Sequence, residues 1–122
     1  MVEGKVSVMV VDDDSDVREI VAETLEEYGF GVCQAASGEE ALPMLRSNPF
    51  IDVLVTDVRM PGMSGIELAV QARQTNATMR IILISGYFPP QHVAQRFLRK
   101  PFHMRDLASA ITDELAIGTT LN

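Results

Sequence analysis

The stretch VMVVDDDSD, Val8 to Asp16, decides how the rest of the chain is read. A short apolar run, Val6 to Val11, passes directly into a row of carboxylates. Near-continuous apolar runs of this length suit strands buried on both faces of a sheet. Asp is a good residue to end such a strand in a turn. Yet Asp12, Asp13 and Asp14 repel one another. Two bare carboxylates about 4 Å apart repel by ~4 kcal/mol at an effective dielectric near 20. A shared proton or a bound cation would relieve this.

Outwards from that stretch, the pattern alternates. Val17, Ile20, Val21, Thr24, Leu25 and Tyr28 share one helical face, and Gly29 ends that helix. Gly31 to Ala35 reads as a second strand. Ser37 and Glu40 form an S-x-x-E capping box for a helix running through Arg46, with Pro43 placed to cut or kink it. Ile51 to Thr56 is a third strand ending at Asp57. Ser64 and Glu67 open a third helix, to about Gln74. Arg80 to Ser85 is a fourth strand. Pro89 and Pro90 break the chain, and His92 to Phe97 is expected to form a short helix. Phe97 to Arg99 is a short last strand, and Met104, Leu107, Ala108, Ile111 and Leu115 mark a final amphipathic helix. Strands alternating with helices predict an α/β fold: a parallel sheet with right-handed crossovers and helices on both faces.

Composition narrows the function. A chain of 122 residues suits one domain with a substantial core, about residues 6–117, and a loose tail at 118–122. The formal net charge of −7 argues against direct nucleic-acid binding and suits cations or basic partner surfaces. No run is long and apolar enough for a membrane span, and no secretory signal is visible, so a cytoplasmic setting is expected. The single Cys33 reads as a core cysteine. His92 and His103 do not read as phosphohistidines; His103 opens the last helix.

Ligands of such sheets bind beyond the carboxyl ends of the strands. Asp12 and Asp13 end the first strand, Asp57 the third and Ser85 the fourth, and Lys100 follows the fifth. If the first, third and fourth strands are neighbours, three carboxylates, a hydroxyl and an ammonium meet at one rim. An all-oxygen donor set suits Mg²⁺ or Mn²⁺ rather than Zn²⁺. A carboxylate beside a metal and an ammonium can attack phosphorus and give an aspartyl phosphate. Taken singly, such strand-end carboxylates equally well cap turns and helices. That is the reading for Asp14 and Asp16, with Asp14 or Ser15 as N-cap.

Four segments together resemble the response-regulator receiver domain of bacterial two-component signalling. They are Asp12–Asp13, D-V-R-M-P-G-M-S-G from Asp57 to Gly65, Ser85–Gly86, and K-P-F at Lys100 to Phe102. The likeness runs from about Val6 to Leu115, and the S-G-Y and K-P-F segments are similar to receivers of hybrid histidine kinases. The resemblance implies a flavodoxin-like, doubly wound sheet of five strands in the order 2-1-3-4-5. It implies that Asp57 is the phosphoacceptor and that a sensor histidine kinase or phosphotransfer protein is the donor. Asp12, Asp13, Asp57 and the backbone carbonyl of Arg59 would serve Mg²⁺. Ser85 and Lys100 would hold phosphoryl oxygens, and Ser85 and Phe97 would form the switch. Lys100–Pro101 is the expected cis peptide. Arg59 and Tyr87 are candidates for tuning the phosphoryl lifetime.

The chain also departs from the family. Ser85 and Lys100 are fifteen positions apart, about two helical turns fewer than receivers usually have, so the helix between the last two strands is expected to be short or irregular. Phe97 replaces the usual tyrosine, so a switch there works by packing alone. Arg96, Arg99, Lys100 and Arg105 form a basic cluster, read either as a solvated face around one site lysine or as a docking patch. Two other readings stay open. One is a haloacid-dehalogenase-like phosphatase, with Asp12 of D-x-D as nucleophile. The other is a receiver-like binding module that is never phosphorylated.

Overall fold

In the computed structural model, residues 5–87 and 95–119 are described. The five strands are β1 (Ser7–Val11), β2 (Gly31–Ala35), β3 (Val53–Asp57), β4 (Arg80–Ser85) and β5 (Arg96–Arg99). They form one parallel sheet in the order β2-β1-β3-β4-β5. The helices among the described residues are α1 (Ser15–Glu27), α2 (Gly38–Ser47), α3 (Gly65–Thr75) and α4 (Met104–Thr119). Strand order and layering are those of the flavodoxin-like fold expected from the sequence.

The two faces of the sheet follow from strand alternation. Met9, Val11, Leu54, Ile81 and Leu83 point to one side and pack with the apolar residues of α2 and α3. Val8, Val10, Val53, Val55, Ile82 and Ile84 point to the other and pack with α1 and α4. The central strands are buried on both faces, and for this reason they read as continuous apolar runs rather than alternating ones.

Local chemistry sets the helix ends. Asp14 is the N-cap of α1, its side chain accepting from the Asp16 and Val17 amides. Ser64 caps α3 in a full capping box with Glu67. At α2 only half of the expected box forms. Ser37 accepts from the Glu40 amide, but the Glu40 carboxylate reaches one residue further back, to the Ala36 amide. Pro43 lies inside α2 without dividing it.

Three expectations need adjustment. The third strand begins at Val53; at Asp52 the backbone still bonds to Ser7 and Arg80, but the Ser7 amide is taken by the Asp52 carboxylate rather than by a backbone carbonyl. Of the helix expected at His92–Phe97, positions 92–94 lie outside the described residues, as do Pro89 and Pro90. Its last two positions, Arg96 and Phe97, lie in β5 instead, where Phe97 pairs beside Leu83. The last helix runs on to Thr119, two residues into the tail expected to be loose.

Candidate phosphoryl and cation site at the carboxyl rim

The strand order places the ends of β1, β3 and β4 side by side and lets β5 close the rim. Three carboxylates gather there. One oxygen each from Asp12, Asp13 and Asp57 lie within 4.8 Å of one another. They differ in setting: Asp12 is buried, Asp57 half-buried and Asp13 exposed. One Asp12 oxygen accepts from the Asp14 amide, which ends the strand in a tight turn. The Lys100 ammonium reaches Asp12 at 3.3 Å and Asp57 at 3.4 Å. Lys100 itself is anchored by its amide, which donates to the Ser85 carbonyl, and the following Lys100–Pro101 peptide is cis.

These contacts set the protonation balance. Burial pushes the Asp57 carboxyl up. Lys100 pulls it back, the neighbouring Asp12 charge pushes it up again, and the Arg59 amide facing it pulls it down; the net direction is upward. Burial lowers Lys100, but the two carboxylates outweigh that effect and hold its ammonium above the usual lysine value. A cation of oxygen preference fits the donor set: three carboxylate oxygens converge, and no sulfur or imidazole is among the grouped ligands. The single ammonium leaves the three acids short of neutrality.

Ser85 is buried at the end of β4, and its Oγ accepts from the Tyr87 amide at 3.1 Å. Phe97 is half-buried and packs on the α2/α3 side of the sheet. Arg59 and Tyr87, singled out separately in the sequence, meet here: the Arg59 guanidinium lies 4.2 Å from the centre of the Tyr87 ring. The basic cluster is largely spoken for. Arg96 pairs with Glu114 of α4 at 2.7 Å, and Lys100 belongs to the acidic rim. Asp14 and Asp16 stay at the start of α1, outside the carboxylate group.

Two contacts around the rim were not legible in the sequence. Arg18 of α1 donates to the Asp12 carbonyl at 2.8 Å and to Gln34 of β2 at 3.2 Å. Glu39 of α2 accepts from the Met63 amide at 3.0 Å. The Arg18–Asp12 contact closes over the short turn between β1 and α1, whereas Arg18–Gln34 and Glu39–Met63 join residues brought together only by the crossovers.

Comparison with known proteins agrees with this fold. The model of the response regulator receiver domain matches residues 8–112. The response regulator receiver protein CpdR of Brucella abortus (strain 2308) is 36% identical, over 85% of this chain and 92% of that protein. Sensor kinase CckA of the same organism is 33% identical over 92% of this chain, which spans only 13% of the kinase. Among solved structures, the receiver domain from hybrid histidine kinase CckA superposes with a TM-score of 0.81 at 36% identity, covering 89% of this chain and 98% of that one. The response regulator protein TrrA from Thermotoga maritima, in complex with Mg(2+)-BeF, does so at 0.82 and 30% identity, with the same coverages. With the family model matched over most of its length, the chain belongs to the response regulator receiver domain family.

Proposed function

We propose that this chain forms a single receiver domain that takes a phosphoryl group from a histidine kinase or phosphotransfer protein onto Asp57. The observation that carries the reading is the shared ammonium. Lys100 bridges Asp12 and Asp57 at the only point where three carboxylates converge among the described residues. An Asp57 oxygen attacks phosphorus and forms the O–P bond. The N–P bond to the donor imidazole breaks, and its electron pair stays on the leaving nitrogen. Lys100 follows the incoming charge as a point donor, and Ser85 turns its hydroxyl towards a phosphoryl oxygen. Asp12, Asp13, Asp57 and the Arg59 carbonyl would hold Mg²⁺, or Mn²⁺ in its place. Bound there, the cation neutralises carboxylate repulsion and stabilises charge on the transferred group. TrrA, a relative of known structure, holds Mg(2+)-BeF.

Phosphorylation replaces the single charge of the Asp57 carboxylate with a phosphoryl group carrying about −1.5 to −2, beside groups that the ammonium already only partly balances. Movement of Ser85 opens space beside β4, and Phe97, already half-buried on the neighbouring strand, fills it by packing. Arg59 and Tyr87 lie as a stacked pair near the rim and would govern how long the acyl phosphate survives. The domain catalyses only its own phosphorylation and hydrolysis, and its signal is the altered surface.

The test is incubation with acetyl phosphate and Mg²⁺ followed by intact-mass and peptide analysis. One phosphoryl group on Asp57, lost in Asp57→Asn, is expected. A label on Asp12 that survives Asp57→Asn would point instead to phosphatase chemistry. No adduct at all would leave a binding module. Arg59→Ala is expected to change the decay rate of the adduct severalfold; an unchanged rate would remove Arg59 from this role.

A further inference from the structure

The loop that leaves β3 carries the residue next to the phosphorylation chemistry, and its supports are uneven. Its neck is tight. The Val58 amide donates to the Ile84 carbonyl and the Gly65 amide to the Val58 carbonyl, at 2.9 and 2.8 Å. A Cβ on Gly65 would fall 2.0 Å from the Asp57 carbonyl oxygen, so only glycine closes the neck. Its far end is fixed by the Ser64–Glu67 capping box. On its outer side the loop lines an open groove of about 530 Å³, formed by Val58, Arg59, Met60, Pro61 and Ser64.

The middle of the loop is braced by the first turn of α2. The Glu39 carboxylate accepts from the Met63 amide at 3.0 Å. It also rests against Gly62, whose φ of 76° turns the chain and whose absent Cβ would lie 2.6 Å from Glu39 Oε2. The adjacent Gly38 receives the Met63 side chain, with Sδ 2.8 Å from where its Cβ would be. Just before the braced segment, the Arg59 amide faces the Asp57 carboxylate.

We propose that Glu39 is a positioning residue of the phosphorylation site: by holding Met63 and Gly62 it fixes the loop that presents the Arg59 backbone to Asp57. This rests on Asp57 being the phosphoacceptor. The brace acts through an accepted hydrogen bond, so it depends on an oxygen at that position and not on charge. Glutamine supplies the same oxygen; alanine supplies none. Glu39 also sits in the first turn of a helix, where an acid is favourable on its own account. The test must therefore separate helix stability from site geometry.

Wild type, Glu39→Ala and Glu39→Gln are compared in three measurements: thermal midpoint, the Mg²⁺ dissociation constant by calorimetry, and the rate of Asp57 phosphorylation by acetyl phosphate at saturating Mg²⁺. Amide hydrogen exchange at Met63 and Arg59 is followed in the unphosphorylated proteins. Glu39→Ala is expected to speed exchange at both amides and to slow phosphorylation by about tenfold, on the scale that small misplacements of reacting groups produce. Glu39→Gln should restore the rate to near wild type. A rate in Glu39→Ala equal to wild type overturns the proposal, as does a Glu39→Gln protein as slow as Glu39→Ala. A loss of rate that merely tracks the thermal midpoint in both variants overturns it too. If wild type itself takes no phosphoryl group on Asp57, the functional reading fails instead, and the exchange data still report whether the brace exists.

Discussion

At the residue scale, the acidic cluster divides by role. Asp14 caps α1 and Asp16 lies in its first turn, whereas Asp12 and Asp13 join Asp57. Calorimetry should accordingly show Mg²⁺ affinity falling at least tenfold in Asp13→Asn and staying within about twofold in Asp16→Asn. Asp57 carries a second consequence. Its carboxyl is raised above the ordinary 3.8, first by burial and then by Asp12, so the folded chain holds that proton more tightly than the unfolded one. The ionised form therefore weakens the metal-free fold. The penalty is absent below 3.8, grows as pH rises through the folded value and is complete above it. Urea unfolding at neutral pH without metal should find Asp57→Asn more stable than wild type, on the order of 1 kcal/mol. An Asp57→Asn protein less stable than wild type would show that its bond to Lys100 outweighs burial.

At the element scale, two helices illustrate opposite limits of local rules. The N-cap of α1 is conventional, and replacing Asp14 with Ala should lower stability by about 1 kcal/mol in denaturant melts while leaving the acidic rim in place. Pro43 in α2 breaks the local rule. It offers no amide to the carbonyl four residues earlier, yet Ala41, Leu42 and Leu45 around it are buried against the sheet and α3, and packing keeps the helix whole. Pro43→Ala should stabilise the protein by about 1 kcal/mol or more, read as a shift in the urea midpoint at unchanged slope. That residue four earlier is Glu39, so the same variant stiffens the turn that braces the loop beside Asp57.

At the scale of the whole molecule, a cation held by the acidic rim would couple its binding to folding, because the carboxylate charge there is unrelieved. A ligand that binds only the folded chain stabilises it by about 2.7 kcal/mol at a hundredfold its dissociation constant. Thermal melts should show that gain on adding Mg²⁺ to wild type and lose most of it in Asp13→Asn.

The elements were legible because both of their periods are written locally. Continuous apolar runs at Val8–Val11 and Ile81–Ile84 mark strands covered on both faces, and caps at Asp14, Ser37 and Ser64 mark helix starts. Residues at strand ends were legible as site candidates for the same reason, since a parallel sheet sends every strand's carboxyl end to one rim. What lay beyond the sequence was each contact between crossovers. Glu39 and Met63 are 24 positions apart, and Lys100 and Asp12 are 88 apart. Arg59 and Tyr87 were each expected beside the phosphoryl site, but their contact with one another depended on β3 pairing with β4. Arg96 looked like part of a basic patch until α4 brought Glu114 to it. The sequence by itself determined which residues stand at the rim, because they end or directly follow the strands and a parallel sheet brings every carboxyl end to one edge. Only the tertiary structure decided which of them touch, how deeply each carboxylate is buried and which loop is braced, because those depend on strand order and on the distances the crossovers close.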